Sequence, residues 1–495
     1  MGDTICAIST ARGEAGIGIV RISGEKSLEI MRGLFLGCPE EVVPRHAYFG
    51  KVVAGAGRKQ SDSQVSAANG TSEQAQVIDE ALFLFMQGPA SYTGEDILEV
   101  QAHGSDVALK EILRQAMRLG ARAAEAGEFT KLAFLNGKLD LSQAEAVIDI
   151  IKAKTDWSLD IAEKQKAGRL STAVQAVRSN LLDILAQMAV NIDYPDEDIE
   201  QESYEGYIED LRFALADVQE MLSTASIGRI ARDGIRVAIV GKPNVGKSSL
   251  MNALLGEGRV IVTDVPGTTR DTVEEIANID GVPMTLIDTA GIRETDDVVE
   301  KLGIERTRDA LVKADMAVVV LDGSCELDEE DEAVLDLLAR GVGGTGAGVG
   351  GTGASIGMPS DRIIVVLNKK DQGSILAEKQ IAEKLPKAKI LRTSLVGLGV
   401  LEGAALVSDA ISETYNIKGA VNRERTIVTS ERHIAALESA ADNLEQAIYL
   451  LEEGEALEIT ELNVHYAYDE LGSITGETAS DEILDTVFSK FCLGK

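Results

Sequence analysis

The 495-residue sequence predicts a multidomain protein of α+β and α/β type. It has an N-terminal α+β domain, a mainly helical domain, and a P-loop domain with a doubly wound sheet inserted into the helical one. Three observations carry this prediction. Proline is absent between Pro89 and Pro195 and again after Pro386, and both stretches repeat apolar residues at helical spacing. Between them, short β-rich runs alternate with helical ones. One of those runs leads directly into Gly241-Lys-Pro-Asn-Val-Gly-Lys-Ser248, a full G-x-x-x-x-G-K-[ST] loop.

The first element, residues 1–118, alternates strand-like runs (Ile17–Ile22, Ala81–Phe85, Ile97–Gln101) with turns. In residues 119–225, Val177, Leu181, Leu182, Leu185, Met188 and Ile192 recur at helix spacing. Residues 226–409 hold the runs Arg236–Val240, Thr285–Ile287, Met316–Leu321, Ile363–Leu367 and Lys389–Leu391, the pattern of a parallel sheet. Helical spacing returns in residues 410–495 with Ile434, Leu437, Ala441, Leu444 and Ile448. Ser480 is placed to cap a final helix carrying Asp481 and Glu482 in its first turn, with Ile483, Leu484, Val487, Phe488 and Phe491 on one face. Gly55–Gln76, rich in Ser, Gln and Ala, and Gly341–Gly357, with nine glycines in seventeen residues, read as surface loops without chemistry.

Composition narrows the class. Apolar residues make up 45 % and charged residues 26 %, ordinary for a soluble globular chain. No apolar run approaches the ~18 residues that would span a bilayer. The start lacks a basic region followed by an apolar core, so neither a signal peptide nor a membrane is expected and the location reads as cytoplasmic. Cys6, Cys38, Cys325 and Cys492 are scattered, which argues against a disulfide frame or a thiolate zinc site. The net charge of −33 should repel a nucleic-acid backbone over most of the surface. Any RNA binding must then use a local basic patch or a more basic partner.

The chemistry lies between Gly241 and Asp371. A glycine-rich turn from strand to helix aims backbone N–H groups at phosphates. Lys247 is expected to reach the β- and γ-phosphates, and Ser248 and Thr269 to ligate Mg²⁺. Asp288 closes an apolar strand, where its carboxylate can hold the same ion through water. Asn368 and Asp371 follow another strand; an aspartate accepts from both the ring N–H and the amino group of guanine, a donor pair adenine lacks. The expected GTP site therefore comprises Asn244, Val245, Gly246, Lys247, Ser248 and Ser249, then Thr263, Asp264, Val265, Pro266, Gly267, Thr268 and Thr269. Asp288, Thr289, Ala290 and Gly291 follow, with Asn368, Lys369, Lys370, Asp371 and Ser394. Where Ras-like proteins place a water-orienting glutamine, this chain has Ile292, whose alkyl side chain cannot hold a water.

Asn244, the run Gly267-Thr-Thr-Arg-Asp271 and Ile292 resemble the potassium-activated GTPases of the TrmE/Der-like group. There a monovalent cation neutralises charge that an arginine finger would otherwise meet. The resemblance implies a K⁺ site made by Asn244 with carbonyls of Thr263, Val265 and Thr268; alone, Asn244 reads equally as a polar loop residue. The flanking segments resemble the MnmE (TrmE) family of tRNA-modifying GTPases nearly end to end. They include Gly16-Ile-Gly-Ile-Val-Arg-Ile-Ser-Gly24, Ser91-Tyr-Thr-Gly-Glu-Asp96, Gly127-Glu-Phe-Thr130, the stretch Ala133–Ala146, and Phe491-Cys-Leu-Gly-Lys495.

That resemblance implies a homodimer whose N-terminal domain binds 5-formyltetrahydrofolate or a related tetrahydrofolate through Arg21, Glu99, Lys138 and Lys495. Singly, these would read as solvated charges. It also implies a heterotetramer with the FAD-dependent MnmG (GidA) subunit, acting on carbon 5 of the wobble uridine of tRNA. A hydrolytic glutamate of the family falls on Glu300, to act with Lys247 and Thr269; without the family it reads as an exposed helix residue. Cys492 is either active in the modification chemistry or a small packed residue. Three features depart from the family pattern: Leu493 for isoleucine, Ser394-Leu395 for Ser-Ala with a shorter loop after it, and the two low-complexity insertions. A ribosome-assembly GTPase would share residues 226–409 but has no use for a folate pocket. A folate-binding scaffold with a vestigial GTPase sits badly with the intact Lys247, Ser248, Thr269 and Asp288.

Overall fold

The computed structural model describes residues 2–11, 13–54, 76–193, 203–258, 274–288, 307–340, 358–373, 375–376, 378–397, 399–415, 417 and 425–494. They form two compact units. One holds residues 1–148, 165–214 and 439–495, the other residues 149–164 and 215–438.

The first unit is built on a seven-stranded sheet of β1 (Ile5–Ile8), β2 (Ala15–Ser23), β3 (Phe35–Leu36), β4 (Ala47–Ala54), β5 (Gln76–Met86), β6 (Ile97–Gly104) and β7 (Arg122–Ala123). The order is β3-β4-β5-β6-β2-β1-β7, antiparallel throughout except for β1 beside β7. The three runs expected from sequence lie within β2, β5 and β6. β4 escaped because Gly50 interrupts its alternation; a Cβ there would lie 2.1 Å from the ring of Phe35, which stacks on Phe83 at 4.4 Å. Strand alternation sorts the side chains of β2 and β6. Val20, Ile22, Leu98 and Val100 are buried in one core, which also takes residues from the helices Ser27–Leu34 and Asp106–Arg118. Arg21 and Glu99, paired across the strands, point to the other face.

The chain on either side of the second unit comes together in the first. The helix Arg169–Asp193 packs along the helix Leu457–Thr475. At their contact Arg178 is 3 % exposed, its guanidinium 4.1 Å from the centroid of the Tyr468 ring. It donates to the Tyr468 carbonyl at 3.2 Å and pairs with Glu477. The apolar stripe expected on the first of these helices is buried at Val177, Leu181, Leu185 and Met188, while Leu182 falls just off it and is exposed. The last helix, Asp481–Ser489, is capped as expected by Ser480, whose Oγ accepts from the Ile483 N–H. Its Val487 and Phe488, with Phe491, pack on Leu141 and Ala144.

The second unit holds β8 (Ile235–Val240), β9 (Glu274–Ile279), β10 (Val282–Asp288), β11 (Met316–Asp322), β12 (Ile363–Asn368) and β13 (Lys389–Arg392), in the order β13-β12-β11-β8-β10-β9. Five strands are parallel. The sixth, β9, is an antiparallel edge hairpin turning at Asp280 and Gly281, both at positive φ. Its charged start, Glu274-Glu275, hid it in the sequence. Both faces are covered: Val237, Ile239, Val318, Val320, Ile364 and Val366 face one core, and Ala238, Val240, Val319, Leu321, Val365 and Leu367 the other. Continuous apolar runs in β8, β11 and β12 follow from that double burial. Each fully buried Val or Ile contributes about 1.5–3 kcal/mol.

Candidate functional site

In an open parallel sheet, the ligand crevice lies beyond the carboxyl ends of the strands, where the order reverses. Here that point falls between β8 and β11, because the chain proceeds from β8 towards β10 on one side and to β11 on the other. The phosphate loop leaves β8 at this place and enters the helix Lys247–Gly258. Gly241 and Gly246 have φ of +143° and +108°. A Cβ at Gly241 would stand 2.3 Å from the Val320 carbonyl, and one at Gly246 would stand 2.4 Å from the Asn368 amide nitrogen. The loop is thus shaped by backbone that only glycine adopts without strain.

Lys247 is 7 % exposed, and its Nζ donates to the carbonyls of Gly241 and Lys242 at 2.7 Å each. Those bonds hold the ammonium inside the curl of the loop. Lys242 points the other way, to Asp328 at 2.5 Å and Asp331 at 2.8 Å. Burial lowers its pKa, but the two carboxylates outweigh burial and keep it charged. Ser248 and Ser249 are exposed, and no described residue hydrogen-bonds their hydroxyls. Asn244 is exposed at φ +62°, its amide likewise without a described partner. These side chains fit ligands of a cation: oxygen donors on a fixed loop, not already committed within the protein.

Asn368, at the end of β12, is 3 % exposed and fully engaged. Its Nδ2 donates to the Val245 carbonyl at 2.6 Å, and its Oδ1 accepts from the N–H groups of Lys369 and Leu395, each at 2.7 Å. It therefore clamps the phosphate loop, the end of β12 and the Leu395 loop together. Lys369, at φ +64°, donates to Asp322 at 2.5 Å. Burial raises the Asp322 pKa, yet hydrogen bonds from Lys369 and Ser324 more than offset it and hold the carboxyl below its usual range. Lys370 is exposed, with its N–H bonded to the Thr393 carbonyl. Asp371 is exposed and accepts from the Ser394 hydroxyl at 2.6 Å, so the structure brings these two predicted base contacts together.

Asp288 ends β10 in register with Ile239, one residue before the end of β8. That register sets its backbone at the carboxyl edge of the sheet, beside the phosphate loop. Thr263, Asp264, Val265, Pro266, Gly267, Thr268, Thr269, Thr289, Ala290, Gly291, Ile292 and Glu300 lie outside the described residues. So does Lys495. The sequence reading missed Asp322, Asp328 and Asp331. The signal available for the first was its position as the residue ending an apolar run, as Asp288 ends another.

In the first unit, Arg21 Nε and Nη2 both donate to Glu99 Oε1, at 3.0 and 2.8 Å. Among the described residues Glu99 Oε2 has only the Gln101 amide, at 3.5 Å, which leaves it acceptor capacity on the sheet face. The rings of Tyr92 and Phe129 stand 6.0 and 5.8 Å from the Arg21 guanidinium, two aromatic neighbours the sequence reading did not include. The chain end reaches the same place. Leu493 forms a bridge with Ala126, and Arg21 Nη1 donates to the Gly494 carbonyl at 3.4 Å. Lys138 is exposed and makes no side-chain bond among the described residues. Cys492 is exposed, so it is not the small packed residue that was one of its two readings; Phe491 before it is the buried one. The Glu99 acceptor, the cation and the two rings fit a flat heterocycle bearing an amino-amidine edge.

A doubly wound sheet carrying a phosphate loop at its switch point, with Asn368 and Asp371 on the adjoining loop, defines a P-loop GTPase. Residues 4–138 match the family model described as the GTP-binding protein TrmE N-terminus, and residues 141–492 match the MnmE helical domain. The tRNA modification GTPase MnmE of Clostridioides difficile is 41 % identical over 498 residues, covering 100 % of this chain and 99 % of that one. The MnmE of Alkaliphilus metalliredigens is 41 % identical over 499 residues, with 100 % of both chains covered. That of Enterococcus faecalis is 40 % identical, covering 100 % of this chain and 98 % of the relative. The chain belongs to the MnmE family of tRNA modification GTPases, and is a GTP hydrolase of tRNA modification. No helix among the described residues is long and apolar enough to cross a membrane.

Proposed function

We propose that the chain works as a cytoplasmic homodimer and K⁺-stimulated GTP hydrolase. With the FAD-dependent MnmG it would form a heterotetramer that adds a carboxymethylaminomethyl or aminomethyl group to carbon 5 of the tRNA wobble uridine. The one-carbon unit would come from a tetrahydrofolate held by Arg21, Glu99, Lys138 and Lys495. The single observation that carries this reading is the unbroken similarity to MnmE relatives across both the N-terminal and the GTPase regions. It is supported at Arg21 and Glu99 by a charged pair with aromatic neighbours on the sheet face where the chain end arrives.

When bound, Mg²⁺ and K⁺ would supply positive charge against the phosphates. This chain's own groups do the rest. Lys247 meets the β- and γ-phosphates, Ser248 and Thr269 offer Mg²⁺ ligands, and Asn244 with carbonyls of Thr263, Val265 and Thr268 offers the K⁺ ligands. Asp371, steadied by Ser394, selects guanine. Glu300 orients the attacking water in place of the missing glutamine. Meeting of two GTPase domains across nucleotide would order these loops, and hydrolysis would release them.

Nucleoside analysis of tRNA from a strain lacking this protein tests the reading. Loss of the modified wobble uridine is expected; an unchanged profile overturns it. Turnover in KCl against NaCl tests the cation, and equal rates would remove it. Glu300→Ala should slow hydrolysis and spare GTP affinity.

A further inference from the structure

Along the whole chain acidic residues outnumber basic ones 81 to 48. In the second unit, around a cleft of about 1000 Å³, the ratio inverts. Lys152, Lys154, Arg229, Arg232, Arg236 and Arg362 line it against two carboxylates, Asp233 and Asp315. The six cations arrive from separate segments: the chain leaving the helix Leu141–Lys152, the helix Ala225–Asp233, the start of β8, and the turn Ser360–Arg362. Two are already neutralised, Arg229 by Glu431 at 2.6 Å and Arg232 by Asp149 at 3.2 Å. Lys152, Lys154, Arg236 and Arg362 are exposed and make no side-chain hydrogen bond or ion pair among the described residues. Asp315 spends its carboxylate on the Arg236 backbone N–H at 2.9 Å.

Four unpaired cations around one hollow, in a protein with carboxylates to spare, mark a place kept for an external polyanion. The cleft lies at the amino end of β8, whereas the phosphate loop leaves its carboxyl end. At ~3.3 Å per residue the two sites stand roughly 15–20 Å apart along the strand, so a nucleotide on the phosphate loop cannot also fill the cleft. Its volume is at the upper end for small-ligand sites, and its charges come from four separate segments of the chain. Several cations suit successive phosphates of a chain better than a single anion.

We propose that this cleft holds the phosphodiester backbone of the tRNA substrate, with Lys152, Lys154, Arg236 and Arg362 neutralising its phosphates. The proposal rests on the tRNA reading above. Such contacts set position and carry no sequence preference. They also give an acidic chain one local surface that attracts RNA.

The test uses the full-length protein and an unmodified, fluorescently labelled tRNA transcript, with binding followed by anisotropy between 50 and 200 mM salt. Each phosphate contact contributes roughly 0.7–0.9 to the slope of log affinity on log salt. The combined variant Lys152→Ser, Lys154→Ser, Arg236→Ser, Arg362→Ser should therefore bind more weakly at 50 mM salt and lose about 3 from that slope, so that its affinity falls roughly 60-fold less than the wild type's between 50 and 200 mM. GTP turnover without tRNA should stay at the wild-type rate, which shows that the variant is folded.

Wild-type affinity and slope in the variant would overturn the proposal. So would displacement of tRNA by micromolar inorganic tripolyphosphate that itself binds the cleft, since the site would then belong to a free polyphosphate. Absence of any tRNA binding by the wild-type chain would overturn it too. Failure of the underlying reading looks different: deleting the gene would then leave tRNA nucleosides unchanged, whatever the cleft binds.

Discussion

Replacing Asn368 by alanine tests whether the nucleotide site is held together by one buried amide. The side chain makes three hydrogen bonds of 2.6–2.7 Å, to the Val245 carbonyl and the N–H groups of Lys369 and Leu395. Water can reach the partly buried Lys369 N–H, but the bonds to Val245 and Leu395 are buried. Each of those two groups left unpaired costs about 1–3 kcal/mol, so the loss should be about 2–6 kcal/mol. Set against a stability of about 5–15 kcal/mol for a domain, that is a large fraction. The sole tryptophan, Trp157, packs on the core beneath the sheet of the second unit, so its fluorescence reports that unit directly. With a urea dependence of about 1–3 kcal/mol per molar, the midpoint should fall by roughly 1–3 M. GTP affinity should fall with it, because the phosphate loop loses its tether at Val245. A variant with an unchanged urea midpoint would refute the clamp.

Three further outcomes follow from the geometry. Gly246→Ala places a Cβ 2.4 Å from the Asn368 amide at φ +108°, and should abolish GTP binding measured by calorimetry. Asp322 has a folded pKa below its unfolded one, so its pairing with Lys369 stabilises the unit above about pH 4 and is lost as pH falls through the folded value. Asp322→Asn should therefore cost about 1–3 kcal/mol at pH 7 in urea titrations, with the gap to wild type closing on acidification. Burial pushes the Cys6 thiol up to about 11, while Cys492 is exposed. Iodoacetamide at pH 8 should label Cys492 and leave Cys6 unmodified by mass spectrometry of the native protein.

The parts of the fold that the sequence disclosed are those buried on both faces. β8, β11 and β12 are unbroken apolar runs because each residue meets a core, and such runs are visible without context. β4 and β9 were not seen, since Gly50 answers to a ring from another strand and Glu274-Glu275 opens an edge strand. The phosphate loop was legible because its glycines and lysine are fixed by local backbone geometry. Asn368 was legible as a site residue, though not as a brace. Two of its partners, Val245 and Leu395, lie on other loops, and only the folded chain brings them within bonding distance. The neighbours of Arg21 were hidden for the same reason, coming from positions 92, 129 and 494.

The meeting of Leu493 and Gly494 with Ala126 and Arg21 has a consequence for biosynthesis. The N-terminal sheet is synthesised early, and Leu493 and Gly494, which meet Ala126 and Arg21 beside it, follow only after the entire second unit has been translated. That contact cannot form until residues 493 and 494 clear the exit tunnel, so the nascent chain holds the Arg21 face without it. Because closure entropy grows only with the logarithm of the enclosed length, the long intervening unit adds little to the free energy of that final contact. Truncation before Leu493 would remove the segment that meets Ala126 and Arg21.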